Sequence, residues 1–122
     1  MRRALLLPIV LGSLALVPAA GSGSPALHVS LTAATHHPQV NARWSYTVHA
    51  TDPRGRKVDA VVSPRIVYNG KTVDTLGYYG FKGQLTRTYK WPASTRGKSL
   101  DFTVRVQGLG KVVFATYPVT VR

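Results

Sequence analysis

The residues of this chain best able to hold a metal ion are its four histidines. His28, His36 and His37 fall in one short segment, and His49 follows on the outward parity of a later stretch. Neutral imidazoles brought close together ligate Cu(II) or Zn(II), so a metal-binding reading rests on His28, His36 and His37. There is no cysteine, and the single methionine is Met1, which removes thiolate and thioether ligands. The blander reading places His36 and His37 in a solvated loop beside Pro38 and His28 and His49 on the surface of strands, and we favour it. A second chemistry belongs to two basic turns, Arg54, Arg56 and Lys57 on one and Arg96 with Lys98 on the other. Guanidinium forks suit phosphate and carboxylate, and two such turns at one end of a domain, flanked by Arg43, would form an anion-binding patch. Tyr78 and Tyr79 could stack on a sugar or other ligand. Catalysis has little to work with. A glycosidase needs two carboxylates at a set separation, whereas Asp52, Asp59, Asp74 and Asp101 sit at turns or on outward parities and no glutamate is present. No G-x-S-x-G surrounds a serine. We therefore expect a non-catalytic protein without a cofactor.

Charge points to the class of partner. The chain of 122 residues carries 16 Lys and Arg against 4 Asp, a formal net charge of +12. Without Arg2 and Arg3, which belong to the leader described below, 14 basic residues face four aspartates, a net +10. Such a field attracts anions over a Debye length of about 8 Å at physiological salt. An anionic cell-envelope polymer, a lipid headgroup or an acidic protein surface all fit. Nucleic acid fits poorly, because no recognition helix or RNA-binding motif is present.

The address is written at the N-terminus. Met1-Arg2-Arg3, the apolar run Ala4 to Val17 and the small residues Pro18 to Ser24 form a signal peptide over residues 1–20, with cleavage expected in 19–24. The apolar run is short for a membrane span and holds Pro8. Residues 21–26 read as a flexible lead-in and 27–122 as one domain. The mature protein is expected to be secreted, outside the membrane and without a further transmembrane segment.

The elements that must position these side chains are strands. Leu27, Val29, Leu31 and Ala33 alternate with polar residues, as do Trp44, Tyr46, Val48 and Ala50, and a period of two marks a sheet with one dry face. Asp52-Pro53-Arg54-Gly55 is a turn. Lys57 to Tyr68 is rich in β-branched residues, and Pro64 predicts that it lies at an edge or splits in two. Asn69-Gly70 signals a tight hairpin into Lys71–Leu76, and Gly77 to Gly80 reads as an irregular link. Phe81, Leu85, Tyr89 and Trp91 share one parity, as do Leu100, Phe102, Val104 and Val106. These two stretches read as the two strongest strands, joined as half of a sheet. Arg87 shares the apolar parity of its strand and should lie at a margin with its head in water. The last strand, Lys111 to Arg122, holds Val113, Ala115, Tyr117, Val119 and Val121 on one parity. Val112 and Phe114 take the other, which predicts cover on both faces of its first half, and Pro118 suggests an edge or bulge.

About seven strands with regular turn signals predict an all-β, immunoglobulin-like or fibronectin-III-like antiparallel β-sandwich without a disulfide. A small closed barrel fits the strand count equally. The string Phe81-x-Gly83-x-Leu85, Trp91-Pro92, Gly97-Lys98-x-Leu100-x-Phe102-x-Val104-x-Val106, with Tyr46-x-Val48-x-Ala50-Thr51-Asp52-Pro53-x-Gly55, resembles small secreted Ig-like proteins of high-GC Gram-positive bacteria. That resemblance implies a fold and an extracellular location, and it brings no active site. The whole reads as a secreted binding module with a basic surface, the alternative being a copper- or zinc-binding protein.

Overall fold

The computed structural model describes residues 26–122, so the signal peptide and all but the last residue of the lead-in lie outside the described residues. Eight strands follow in order: β1 (His28–Ala33), β2 (Arg43–Thr51), β3 (Asp59–Tyr68), β4 (Lys71–Thr75), β5 (Tyr79–Lys82), β6 (Gln84–Lys90), β7 (Ser99–Gly108) and β8 (Lys111–Thr120). A 3-10 turn, Ala93–Thr95, lies between β6 and β7. Strands β1, β2 and β6 form one antiparallel sheet in that order, and β4, β3, β7 and β8 form the other, with β5 also paired to β3. Two separate sheets make this a sandwich rather than a closed barrel. Among the described residues no helix is long and apolar enough to cross a membrane.

Parity built the core as expected. Trp44, Tyr46, Val48 and Ala50 from β2 are buried, and so are Leu100, Phe102, Val104 and Val106 from β7. At the centre Trp44 meets Trp91 and Phe102 edge-on, with ring centroids 5.4 and 5.1 Å apart, a preferred aromatic geometry. The Trp44 indole N–H donates to the Thr35 carbonyl at 2.9 Å, so its polar edge is satisfied. The Asn69-Gly70 turn has φ of 52° and 78°, as a type I′ hairpin requires.

Phe81 to Trp91 is not one strand. Tyr79–Lys82, expected as a link running into it, is β5 and pairs with β3, whereas Gln84–Lys90 pairs with β2 in the opposite sheet. Gly83, at φ 77°, carries the chain from one sheet to the other. Phe81 and Leu85 lie four residues apart, so both still face inward after the crossing and the break leaves no trace in the parity. For the same reason β6 and β7 are not half of a sheet: they lie in different ones.

Pro64 corrects a second expectation. It is buried in β3, an unbroken strand with neighbours on both sides. Its carbonyl accepts from Leu76 N at 2.9 Å. A residue's N–H and C=O leave a strand on the same side, so the missing donor faces the gap where β5 ends and β4 has not begun. Pro118 does lie on an edge strand, β8. Val112 and Phe114 are 44% and 57% exposed rather than covered on both faces, because nothing packs outside the sheet there. Arg87 is exposed, its guanidinium 3.8 Å from the Tyr79 ring centroid.

Candidate functional site: a cationic end of the sandwich

The antiparallel register fixes which loops share an end. Arg43 is opposite Lys90 and His49 opposite Gln84, so β2 and β6 run in opposite directions along the sheet. The lower end gathers the Asp52–Lys57 turn, Gly83 and the Gly108–Lys111 turn. The upper end gathers residues 34–42, Asn69-Gly70, the 91–98 loop and Arg122. The two basic turns therefore lie at opposite ends and do not form one patch.

At the lower end one cation is paired within its own turn. One Asp52 carboxylate oxygen accepts from the backbone N–H groups of Arg54 and Arg56, each at 2.9 Å. The other is 3.1 Å from Arg56 Nε, the only salt bridge among the described residues. These N–H groups, that of Arg56 foremost, hold the Asp52 carboxyl below the usual carboxylate range. Nearby, Asp59 stands directly opposite Lys82. Arg56 thus works in the turn, and Arg54 and Lys57 extend from it as exposed side chains.

At the upper end no cation is in a salt bridge among the described residues. Arg43 and Lys90 stand directly opposite one another across β2 and β6, an unfavourable placement for like charges. Backbone bonds hold further cation-bearing segments at this end. Asn41 N donates to Trp91 O, Val40 N to Arg122 O and Gly97 N to Val121 O, at 2.8 to 2.9 Å. Arg96 and Arg122 line one depression of about 340 Å³ with Gln39 and Val40. Lys98 sits on the far side of the same loop, its ammonium 5.3 Å from the Tyr68 ring centroid. Of the expected anion-binding residues, then, Arg96, Lys98 and the flanking Arg43 share this end, and Arg54, Arg56 and Lys57 are elsewhere. Lys90 and Arg122 were missed; their only sequence signal is a strand register that pairs Lys90 with Arg43.

The histidines divide in the same way. His28, opposite Thr51, is at the lower end, with β1 running between it and the upper-end His36 and His37. The three do not form one site, and among the described residues no group of three His, Cys, Asp or Glu is placed to hold a metal. His36 stacks flat on Tyr117, with centroids 4.0 Å apart. Its Nδ1 is 2.6 Å from the Pro118 carbonyl, an acceptor, so Nδ1 carries the proton. Tyr78 is 73% exposed. Tyr79 is engaged on both sides, under Arg87 and with its hydroxyl donating to Leu76 O at 2.8 Å.

A second feature was not foreseen. Where the two sheets part, between edge strands β6 and β4, a cleft of about 280 Å³ opens beside the 91–98 loop. Ile66 and Leu100 form its floor, Tyr68 and Tyr89 its walls, and Asp74 and Lys98 stand at its mouth. Burial, reinforced by the Asp74 charge, raises the Tyr89 phenol above its ordinary pKa, so it stays protonated.

No protein-family model matches the chain, and no curated protein matches it either. Solved structures do resemble it. A CARDB domain of the PF1109 protein from Pyrococcus furiosus, crystallised in complex with di-metal ions, is 21% identical, with a TM-score of 0.56 over 81% of this chain and 90% of that one. The solution structure of that domain is 24% identical, with a TM-score of 0.52 over 82% and 97%. The sporulation control protein Spo0M of Bacillus subtilis is 14% identical, with a TM-score of 0.51 over 83% of this chain and 50% of that one. The chain is an Ig-like β-sandwich. At these identities the likeness carries the fold alone.

Proposed function

We propose that this domain is an exported, non-catalytic interaction module whose upper end binds an anionic component of the cell envelope. The observation that carries this reading is the placement of Arg43 directly opposite Lys90, with Arg96 and Arg122 lining a depression at the same end and none of the four in a salt bridge among the described residues. A fold gains nothing from like charges set face to face. An incoming carboxylate or phosphate converts that repulsion into attraction, and the two arginines nearest the depression offer planar forks to it. The leader peptide supports an extracellular setting, and the high net charge supports capture of anions before contact.

Retention of the purified protein on isolated cell envelope and on vesicles containing anionic lipid, measured against salt, tests this reading. Retention at about 0.1 M salt should collapse towards about 1 M, as the screening length falls from roughly 10 to 3 Å. Absent or salt-insensitive retention would leave the charge a solubilising surface and overturn the proposal.

A further inference from the structure

We infer that the lateral cleft between β4 and β6 receives one sugar ring of an acidic polysaccharide, with the ring's anionic substituent turned outward to Lys98. This rests on the reading above, since it names the class of anionic polymer that the upper end would bind.

The cleft has the size and lining for one ring. At about 280 Å³ it falls just under the ~300–1,000 Å³ typical of small-molecule sites. Its apolar floor, Ile66 and Leu100, belongs to the core and is fixed. One tyrosine comes from each sheet, Tyr68 from β3 and Tyr89 from β6. Both are half-buried, Tyr68 with the Lys98 ammonium over its ring and Tyr89 edge-on to Trp91, and each keeps part of its surface open to the cleft. Neither phenol has a hydrogen-bond partner among the described residues, in contrast to Tyr79 and Tyr117, whose hydroxyls donate to backbone carbonyls. Ser94 adds a hydroxyl at the loop side, whereas the Thr95 hydroxyl donates to Pro92 O at 2.6 Å and offers only its lone pairs. An apolar floor, two aromatic walls and hydroxyls free to bond outward match the mixed surface of a pyranose, with C–H groups on its faces and hydroxyls on its rim.

Charge sets the orientation. Asp74 stands opposite Ile66, across the register shift in β4, and lines the cleft without a salt bridge. Exposed at the mouth on the β4 side, its carboxylate accepts from sugar hydroxyls and repels an anionic group placed on that side. Lys98, on the loop side of the same mouth, attracts one. A ring with an acidic substituent is therefore seated with that substituent towards Lys98. The 91–98 loop is a wall shared with the cationic depression, because Ser94, Thr95 and Lys98 line the cleft and Arg96 lines the depression. A chain leaving the cleft over this loop meets Arg96 next.

Three probes separate the parts of this inference: tetragalacturonate (acidic rings), cellotetraose (neutral rings) and a glycerol-phosphate oligomer (anionic, no ring), each titrated into the full protein and followed by amide NMR. Tetragalacturonate should shift the amides of Tyr68, Tyr89, Ser94 and Thr95 and bind about tenfold more tightly than either other probe. Tyr68→Ala should weaken it about fivefold, and Lys98→Gln by a similar factor. Tyr89 packs on Trp91, so Tyr89→Phe, which removes only the hydroxyl, is used there. Equal binding of tetragalacturonate and the glycerol-phosphate oligomer, with cleft amides unmoved and Tyr68→Ala silent, overturns the cleft and leaves the anion-binding end standing. Binding of cellotetraose as tight as tetragalacturonate overturns the acidic assignment. Failure of both anions to bind overturns the cleft proposal together with the reading on which it rests.

Discussion

The two ends of the sandwich each gather several basic residues and treat them differently. At the lower end Asp52 grips its own turn and pairs Arg56, and Asp59 stands opposite Lys82. At the upper end Arg43 faces Lys90, and Arg96 and Arg122 line a depression with Gln39 and Val40. Charges that neutralise one another help to build a fold. Charges left facing one another are what the proposed anionic partner would relieve.

The comparison breaks first if the lower end turns out not to be structural. Gly83 ties it together, donating to Val58 O at 3.0 Å and accepting from Ala50 N at 2.9 Å while the chain changes sheets. A Cβ there would lie 2.5 Å from Lys57 Cγ and 2.8 Å from Lys57 Cβ, at φ 77°. Gly83→Ala should therefore cost about 1–3 kcal/mol in denaturant unfolding and leave retention by anionic envelope unchanged in the folded fraction. A variant as stable as the parent would remove the lower end's structural role.

The same contrast sets a pH dependence. The Asp52 carboxyl is depressed in the folded state, mainly by the Arg56 backbone N–H. Its contribution is present above the unfolded carboxylate value, near pH 4, and is lost as pH falls through the lower folded value. Asp52→Asn should lower stability modestly at neutral pH and remove part of the loss seen below about pH 4. Thermal melts of both proteins from neutral to acid pH measure this. Parallel curves would mean that the turn does not use the charge.

Much of the fold was legible because burial follows parity. The rows Trp44 to Ala50 and Leu100 to Val106 needed only a period of two, and Asn69-Gly70 needed only positive φ. Gly83 was illegible as a crossing because Phe81 and Leu85 keep an even spacing through it. Pro64 was misplaced because the sequence does not show that the partner edge has a gap opposite it. The site was less legible still. Arg54, Arg56 and Lys57 look like a patch because they are neighbours in sequence, yet Asp52 occupies one of them in its turn. Arg43, Lys90, Arg96 and Arg122 are far apart in sequence, and only strand register and the bonds from Val40 and Asn41 bring them to one end. The cleft needs both sheets and one loop, which no local pattern describes.

The most direct test of the central claim removes equal charge from each end. Arg43, Lys90 and Arg96 are replaced together by alanine in one protein, and Arg54, Lys57 and Lys111 in another, and affinity for the isolated anionic envelope polymer is measured at one salt concentration. All six side chains are exposed, so both proteins should fold. The upper-end protein should lose about tenfold or more in affinity, and the lower-end protein less than about twofold. Equal losses would mean that net charge alone governs binding, and would contradict the assignment of the site to the upper end.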